Sequence, residues 1–349
     1  MRNIEDLTVA VVGATGAVGR EMLAVLGERD FPVGNLRPLA SARSAGERVS
    51  CGDVEAVVEE LNADSFAGVD IALFSAGSTI SKEFGPIAAA RGAVVIDNSS
   101  CFRMEQGVPL VVPEVNSELV ADEIQRRGSD EGFIIANPNC STIQLVVVLH
   151  PIEKHVGIER VVVSTYQSVS GAGKKGMDEL WDQTRGIFSQ QAVEPSKFPH
   201  QIAFNCLPQI DVFEDNGYTK EETKVIKESR KILGIPDLRI TATAVRVPVF
   251  TCHSESVNIE TRGRLSAEDA RALLMESPGI IVIDEPETGK YPMGCELGGT
   301  DATYVGRIRA DESAEHGLNM WIVADNLRKG AALNAVQIAE VVVDAWGSD

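Results

Sequence analysis

Positive charge is scarce in this chain. Its 32 Lys and Arg face 51 Asp and Glu, for a formal net charge of −19. A nucleic-acid backbone calls for a basic face, so the balance argues against general nucleic-acid binding. The acids never stand more than two together, so the excess reads as a solvated acidic surface and not as an interaction tail. Long apolar runs are missing as well. Leu145-Val146-Val147-Val148-Leu149 is among the longest, against about 18 residues for a membrane helix, and no membrane partner is expected. The opening Met1-Arg2-Asn3-Ile4-Glu5-Asp6 lacks the basic and then apolar layout of a secretory signal, which makes the cytoplasm the expected location. Cysteine is sparse and dispersed: six residues, at 51, 101, 140, 206, 252 and 295, form no Cys-x-x-Cys pair. That argues against zinc and dithiol-redox motifs and leaves free thiols, with no metal site expected. A cysteine with chemistry has to be found by its neighbours. Only five histidines are present, so the pool of candidate bases is small.

What the chain does have is 349 residues, enough for two domains at about 100–200 residues each. Its composition, 44% hydrophobic and 24% charged, is that of an ordinary globular protein. The first half alternates. Leu7-Thr8-Val9-Ala10-Val11-Val12 reads as a strand buried on both faces, and after a glycine turn residues 18–27 carry helical spacing. Further strands are expected at about 36–40, 71–76, 93–96, 110–112 and 133–136, with helices at 81–91 and 117–127 between them. Such alternation means βαβ units, and hence an α/β chain whose N-terminal part is a Rossmann-like doubly wound sheet. From about residue 140 long strands take over, at 159–169, 238–249, 255–261 and 303–309, broken by helices at 141–155, 219–233 and 266–276. This predicts an α+β second domain with a mixed sheet. Residues 328–349 read as one apolar helix returning to the first domain, so the expected division is 1–139 plus 327–349 against 140–326.

Gly13-Ala14-Thr15-Gly16-Ala17-Val18-Gly19 follows the first strand and opens the first helix. Glycines there let backbone N–H groups approach a pyrophosphate at the positive helix end, although the spacing is one residue longer than the usual fingerprint. The alternative is a purely structural glycine turn. An NAD site calls for an acidic residue about 20 positions on, at the end of the second strand. Ser41-Ala42-Arg43-Ser44-Ala45-Gly46 stands there instead. Its arginine and hydroxyls suit a 2′-phosphate and favour NADP, unless Arg43 merely faces solvent. Asn137-Pro138-Asn139-Cys140-Ser141-Thr142 lies between a buried strand and a helix. Backbone donors and the helix dipole lower a thiol pKa at such a place, which sets Cys140 apart as the candidate nucleophile. A buried thiol at a helix start is the plainer reading. His253, in what reads as a loop between strands, is either the matching base or an ordinary surface histidine. The loop from Ser168 to Gly176, with Ser170, Gly171 and Gly173, leads into another helix. It fits a phosphate, the nicotinamide end of a cofactor, or a flexible turn.

These segments occur in order with Val112-Pro113-Glu114-Val115-Asn116, Tyr166-Gln167-Ser168-Val169-Ser170-Gly171-Ala172-Gly173, Arg246-Val247-Pro248-Val249 and His253-Ser254-Glu255. In this combination the chain resembles the aspartate-β-semialdehyde dehydrogenase family, from residue 7 to about residue 340. The resemblance implies Cys140 as nucleophile, His253 as acid/base and Gln167 as the residue orienting the acyl group. It implies Arg246 for the substrate α-carboxylate, Glu221 for its amino group, and Arg103, Lys224 and Asn139 for phosphate. NADP contacts are implied at Gly13, Thr15, Gly16, Ala17, Val18, Ser41, Arg43, Ser44, Ser75, Ala76 and Gly77, and at Ser170, Gly171, Gly173 and Asn326.

The reaction so implied is NADP-dependent reductive dephosphorylation of L-aspartyl-4-phosphate to L-aspartate 4-semialdehyde through a cysteine thioester. It belongs to diaminopimelate, lysine, methionine and threonine biosynthesis. Implied partners are these small molecules and phosphate, with a homodimer formed through the second domain, or a homotetramer by further pairing. Two positions depart from the family pattern: Cys101 in Ser99-Ser100-Cys101-Phe102-Arg103 replaces alanine, and Cys252 stands where a small residue is usual. Both read as small-residue replacements that add oxidation sensitivity. Residues 126–132 read as a short polar surface insertion. Without the resemblance, Glu221 and Lys224 read as a surface pair three apart on a helix. The alternatives are another acyl-phosphate or acyl-thioester reductase, such as N-acetylglutamyl-phosphate reductase or an archaeal-type malonyl-CoA reductase, and a non-catalytic NADP-binding regulator. Glu221 argues for a substrate with a free amino group. Intact Cys140, His253 and Arg246 argue against the regulator.

Overall fold

In the computed structural model residues 4–128, 130–191 and 193–347 are described; Ser129 of the expected insertion lies outside them. The continuous apolar run at the start forms β1 (Leu7–Val12), buried at every position but Thr8. It is followed by α1 (Ala17–Glu28), β2 (Val33–Ala40), the hairpin β3 and β4 (Arg48–Cys51, Val54–Val57) and β5 (Glu59–Glu60). Next come β6 (Ile71–Phe74), α2 (Ser78–Ala90), β7 (Val94–Asp97), α3 (Pro113–Asn116), α4 (Glu118–Arg127) and β8 (Ile134–Ala136). A strand buried on both faces needs neighbours on each edge and cover above and below. Accordingly β1 lies inside a six-stranded parallel sheet of order β5-β2-β1-β6-β7-β8. The chain crosses from one side of β1 to the other between β2 and β6, so the carboxyl ends of β1 and β6 flank the switch point where such sheets bind ligands.

The second unit, Cys140–Gly330, begins with α5 (Cys140–Val156), buried at every position from Ser141 to Leu149. After it come β9 (Ile158–Gln167), α6 (Lys174–Phe188), α7 (Lys220–Leu233), β10 (Arg239–Arg246), β11 (His253–Thr261) and α8 (Ala267–Met275). β12 (Ile280–Val282), α9 (Gly294–Leu297), β13 (Thr303–Asp311) and β14 (Gly317–Ala324) complete it. The sheet order is β10-β9-β11-β14-β13-β12, with β10/β9 and β12/β13 parallel and the other neighbours antiparallel. α5, α7 and α8 pack on this sheet. The last helix, α10 (Leu333–Gly347), belongs to the first unit, Met1–Asn139 with Ala331–Asp349, where it packs on α1, α3 and α4.

The elements differ from expectation in several places, the short β3, β4, β5 and β12 among them. The strand expected at 110–112 is a single bridge, Leu110 to Ala136. The Asn116 side chain occupies the backbone there: its Oδ1 accepts from Val112 N–H at 2.9 Å and its Nδ2 donates to Leu110 O at 3.0 Å. β10 stops at Arg246 and not at residue 249, because Pro248 has no N–H to carry the ladder on. β14 was not anticipated. Residues 328–349 are not one regular helix: a π turn, Arg328–Ala332, precedes α10, with Gly330 N–H bonded to Asp325 O at 3.0 Å. His253 opens β11 instead of lying in a loop.

Candidate active site

The helix that starts at Cys140 puts its positive end beside the half-buried thiol. The backbone of Gly330 comes up against it: a β-carbon at 330 would lie 2.8 Å from Cys140 Cβ. Arg246, the last residue of β10, is buried, and its Nη1 donates to Ser168 O at 2.6 Å. Burial pulls the guanidinium pKa down, while Glu221 and Cys140 push it back up, so it interacts with both the carboxylate and the thiol. His253 sits directly across the β9–β11 ladder from Gln167 and is fully buried. Its Nδ1 accepts from the Ser168 N–H at 3.1 Å, with Ser168 Oγ also at 3.1 Å. In the neutral ring the proton therefore resides on Nε2, which has no hydrogen-bond partner among the described residues. Burial first, and Arg246 second, lower the His253 pKa to about 3, so the ring is neutral at ordinary pH. Glycine at 171 leaves room at both groups: its absent β-carbon would lie 3.0 Å from Arg246 Nη1 and 3.3 Å from His253 Nε2.

Glu221 and Lys224 are placed by a capping box. Thr219 Oγ1 accepts from Glu222 N–H at 3.3 Å, and the Glu222 carboxylate accepts from Thr219 N–H at 2.7 Å. The same carboxylate accepts from Ala244 N–H at 2.9 Å, tying the start of α7 to the strand that ends in Arg246. Gln167 Nε2 donates to Glu221 Oε1 at 3.3 Å, and Lys224 Nζ donates to Glu221 Oε2 at 3.2 Å and Asp211 Oδ2 at 2.9 Å. Burial lowers the Lys224 pKa, but the two carboxylates outweigh it and hold the ammonium above its ordinary value. Ser170 and Asn326 bond to each other, Nδ2 to Oγ at 3.0 Å, and Asn326 Oδ1 lies 3.1 Å from Ser168 Oγ. Gly173 is the N-cap of α6, with a left-handed φ of 75°. The second unit thus gathers Cys140, Gln167, Glu221, Lys224, Arg246 and His253.

The remaining candidates belong to the first unit. Gly13 has φ 87°, and a β-carbon on it would meet Ser75 Oγ at 2.9 Å; one on Gly19 would meet Gly13 O at 2.1 Å. The turn is therefore pressed against α1 and β6 in a way glycine alone permits. Gly16 caps α1 with no side-chain acceptor, Gly16 and Ala17 are exposed beside half-buried Thr15 and Val18, and no acid stands in the first turn. That is the form of an anion-binding helix start. Ser75 Oγ donates to Val12 O at 3.0 Å, and Ala76 and Gly77 are exposed at the end of β6. Ser41 and Arg43 are exposed on a short 3₁₀ turn, while Ser44 is buried and accepts from Thr15 Oγ1 at 3.3 Å. Arg103 is buried, donating to Asn137 O and Asn98 O, both at 2.9 Å. Asn139, also buried, immediately precedes Cys140.

The surroundings of both extra cysteines favour the protonated thiol. Burial, and then Asp97 and Glu105, raise the Cys101 thiol, and burial pushes Cys252 up to about 12. Among the described residues no group of side chains forms a metal site, and no helix is long and apolar enough to cross a membrane. Asp211 and Gly330 are neighbours that sequence reasoning missed. Both come from distant parts of the chain, and no local pattern marks them.

A family model described as semialdehyde dehydrogenase, NAD binding domain, matches residues 8–123, and one described as semialdehyde dehydrogenase, dimerisation domain, matches residues 149–329. The chain is 55% identical to an aspartate-semialdehyde dehydrogenase of Aquifex aeolicus (strain VF5) over 96% of this chain and 97% of that one. It is 51% identical to the enzyme of that name from Bacillus subtilis (strain 168), over 96% of each. Among solved structures, aspartate semialdehyde dehydrogenase II from Vibrio cholerae, complexed with ASA, superposes with a TM-score of 0.91 at 50% identity, over 97% of this chain and 98% of that one. Aspartate semialdehyde dehydrogenase with NADP from Candida albicans gives a TM-score of 0.76 at 25% identity, over 97% and 99%.

Proposed function

The chain belongs to the aspartate-semialdehyde dehydrogenase family, and from that premise we propose that it reduces L-aspartyl-4-phosphate to L-aspartate 4-semialdehyde through a thioester on Cys140, with NADPH as reductant. The observation that carries this reading is a buried guanidinium, Arg246, that interacts with the helix-start thiol, with Glu221 and with the buried neutral imidazole of His253. The Cys140 thiolate attacks the acyl carbon; a carbon–sulfur bond forms, the carbon–oxygen bond to phosphate breaks, and phosphate leaves with the electron pair. Arg103, Asn139 and Lys224 are the proposed phosphate contacts. The planar fork of Arg246 suits the substrate α-carboxylate, and Glu221 suits its ammonium. Gln167 orients the acyl oxygen. His253 holds its mobile proton on Nε2 and shares it with that oxygen as charge builds there.

The glycine cradle at 13–19 and the uncapped start of α1 fit a dinucleotide pyrophosphate. Ser41, Arg43 and Ser44 are the proposed 2′-phosphate contacts, which makes NADP the cofactor. Thr15, Ala17, Val18, Ser75, Ala76, Gly77, Ser170, Gly171, Gly173 and Asn326 are the other proposed contacts. When bound, NADPH supplies the hydride that reduces the thioester carbonyl carbon. Collapse of the resulting hemithioacetal breaks the carbon–sulfur bond and returns Cys140 as thiolate.

The dimerisation-domain match supports an oligomer, which we assign as a homodimer through the second unit. The sheet face opposite His253 carries Tyr166 and Trp321, rings 5.4 Å apart, and a groove of about 450 Å³ lined in part by Ser254 and Ser256. The function is tested by following NADPH formation from aspartate semialdehyde, NADP⁺ and phosphate, with arsenate in place of phosphate as a check. Phosphate-dependent turnover is expected; its absence rejects the proposal.

A further inference from the structure

Glu255 is a group the proposed chemistry does not use. Its side chain is fully buried on β11, and neither carboxyl oxygen has a hydrogen bond among the described residues. Moving a carboxyl from water to such a place is unfavourable, so its presence there calls for a reason. The polar side chain that acts on it is Gln144, itself fully buried on α5, and neither the Gln144 amide nitrogen nor its oxygen has a hydrogen bond among the described residues. Burial raises the Glu255 pKa well above its ordinary value, against the pull of Gln144, and so favours the neutral acid.

Its location supplies the reason. Residues i and i+2 of a strand share a face, so Glu255 lies on the His253 side of β11. Its ladder partner on β9 is Thr165, whose Oγ1 accepts from Gln167 Nε2 at 3.4 Å, and Gln167 is in turn the ladder partner of His253. On α5 residues i and i+4 lie one above the other, so Gln144 is one turn beneath Cys140. Apart from Ser141 and Thr142, the buried neighbours of Gln144 on the helix are apolar: Ile143 and the run from Leu145 to Leu149. Apolar packing is non-directional and leaves a helix free to settle in slightly different registers; a paired amide and carboxyl select one.

We propose that Glu255 is a positioning residue: paired with Gln144, it sets the first turn of α5 on β11 and so fixes the Cys140 thiol relative to the His253 ring. The inference rests on the cysteine chemistry proposed above. Three variants test it. E255Q keeps the shape and a neutral polar end, E255M keeps the length without polarity, and Q144M removes the pair from the helix side. E255M and Q144M are expected to lower kcat about 10–100-fold, the scale of a displacement near 1 Å, with the KM values for aspartate semialdehyde and NADP⁺ unchanged. Their Tm is expected to fall, because each variant leaves the other polar group buried without its partner. E255Q restores kcat to within about threefold of wild type.

Iodoacetamide labelling, mapped by mass to the Cys140 peptide and apart from exposed Cys206 and Cys295, reads the same thiol without substrate. It should show the same order. Wild-type kcat and Cys140 labelling in either E255M or Q144M overturns the inference, as does an E255Q enzyme impaired as far as E255M. Should E255M not fold, Q144M carries the same decision. If the wild-type enzyme shows no phosphate-dependent turnover, the functional reading fails, while the labelling series still decides this one.

Discussion

Replacing Gly330 by alanine measures how tightly Cys140 is held. The new β-carbon would lie 2.8 Å from Cys140 Cβ, 3.3 Å from Cys140 Cα and 3.6 Å from Asn326 Cβ. Carbon atoms in contact rest at about 3.5–4.0 Å, so the site must open by about 1 Å. None of these atoms is the far end of a flexible side chain; two of them belong to the first residue of α5. Gly330 does not have a left-handed φ, so alanine carries no backbone strain there and the effect is steric. Overpacking of this kind costs about 1–3 kcal/mol of stability. A thiol displaced by about 1 Å costs about 100-fold in rate. Initial rates of NADPH formation and a thermal melt, run on the same preparation, read both. The expected result is kcat down about 100-fold, a lower Tm, and a KM for NADP⁺ close to wild type. A G330A enzyme with kcat within about twofold of wild type refutes the reasoning.

R246K keeps the charge but loses the fork, and a lost charge-assisted hydrogen bond of about 1.5–3 kcal/mol lowers kcat/KM for aspartate semialdehyde about 10–150-fold; normal kinetics would remove Arg246 from the substrate site. R43A should raise the KM for NADP⁺ far more than that for NAD⁺, and an equal effect on both would discard the 2′-phosphate contact. His253 has a folded pKa of about 3 against about 6.5 unfolded. The unfolded chain therefore binds a proton between these values that the folded chain does not. Its contribution to stability is full above pH 6.5 and is lost as pH falls towards 3. Melts from pH 3 to 8 should show a shallower acid limb in H253Q than in wild type, and parallel curves would contradict a buried neutral ring.

Much of the first unit is legible in the sequence because its signals are local. The run Leu7–Val12 needs cover on both faces whatever follows it, and glycines at 13, 16 and 19 announce a tight turn into a helix. The Cys140 setting is legible for the same reason, since strand, Asn-Pro-Asn and helix are contiguous. What escapes is set at long range. His253 reads as loop because Pro248 and Cys252, at a left-handed φ of 65°, break the local pattern, yet its ladder partners Gln167 and Ala324 make it a strand residue. β14 hides because its alternation ends in the apolar run Ile322-Val323-Ala324, which carries no period. Gly330 looks like any glycine before an apolar helix, and only the approach of Cys140 gives it meaning. Glu255 stands within the His253-Ser254-Glu255 motif, but its burial follows from α5 lying over β11.

On the proposed function both ligands are anions and the net charge of −19 gives them no long-range attraction, so the proposed contacts at Arg43, Arg103, Lys224 and Arg246 and at helix starts would have to supply their binding. The central claim is the thioester on Cys140, and intact-protein and peptide mass measurement tests it most directly. With aspartate semialdehyde and NADP⁺ but no phosphate, one aspartyl group should accumulate on the Cys140 peptide, and added phosphate should discharge it. No acylation at Cys140, or phosphate-dependent turnover surviving in C140A, would contradict the account.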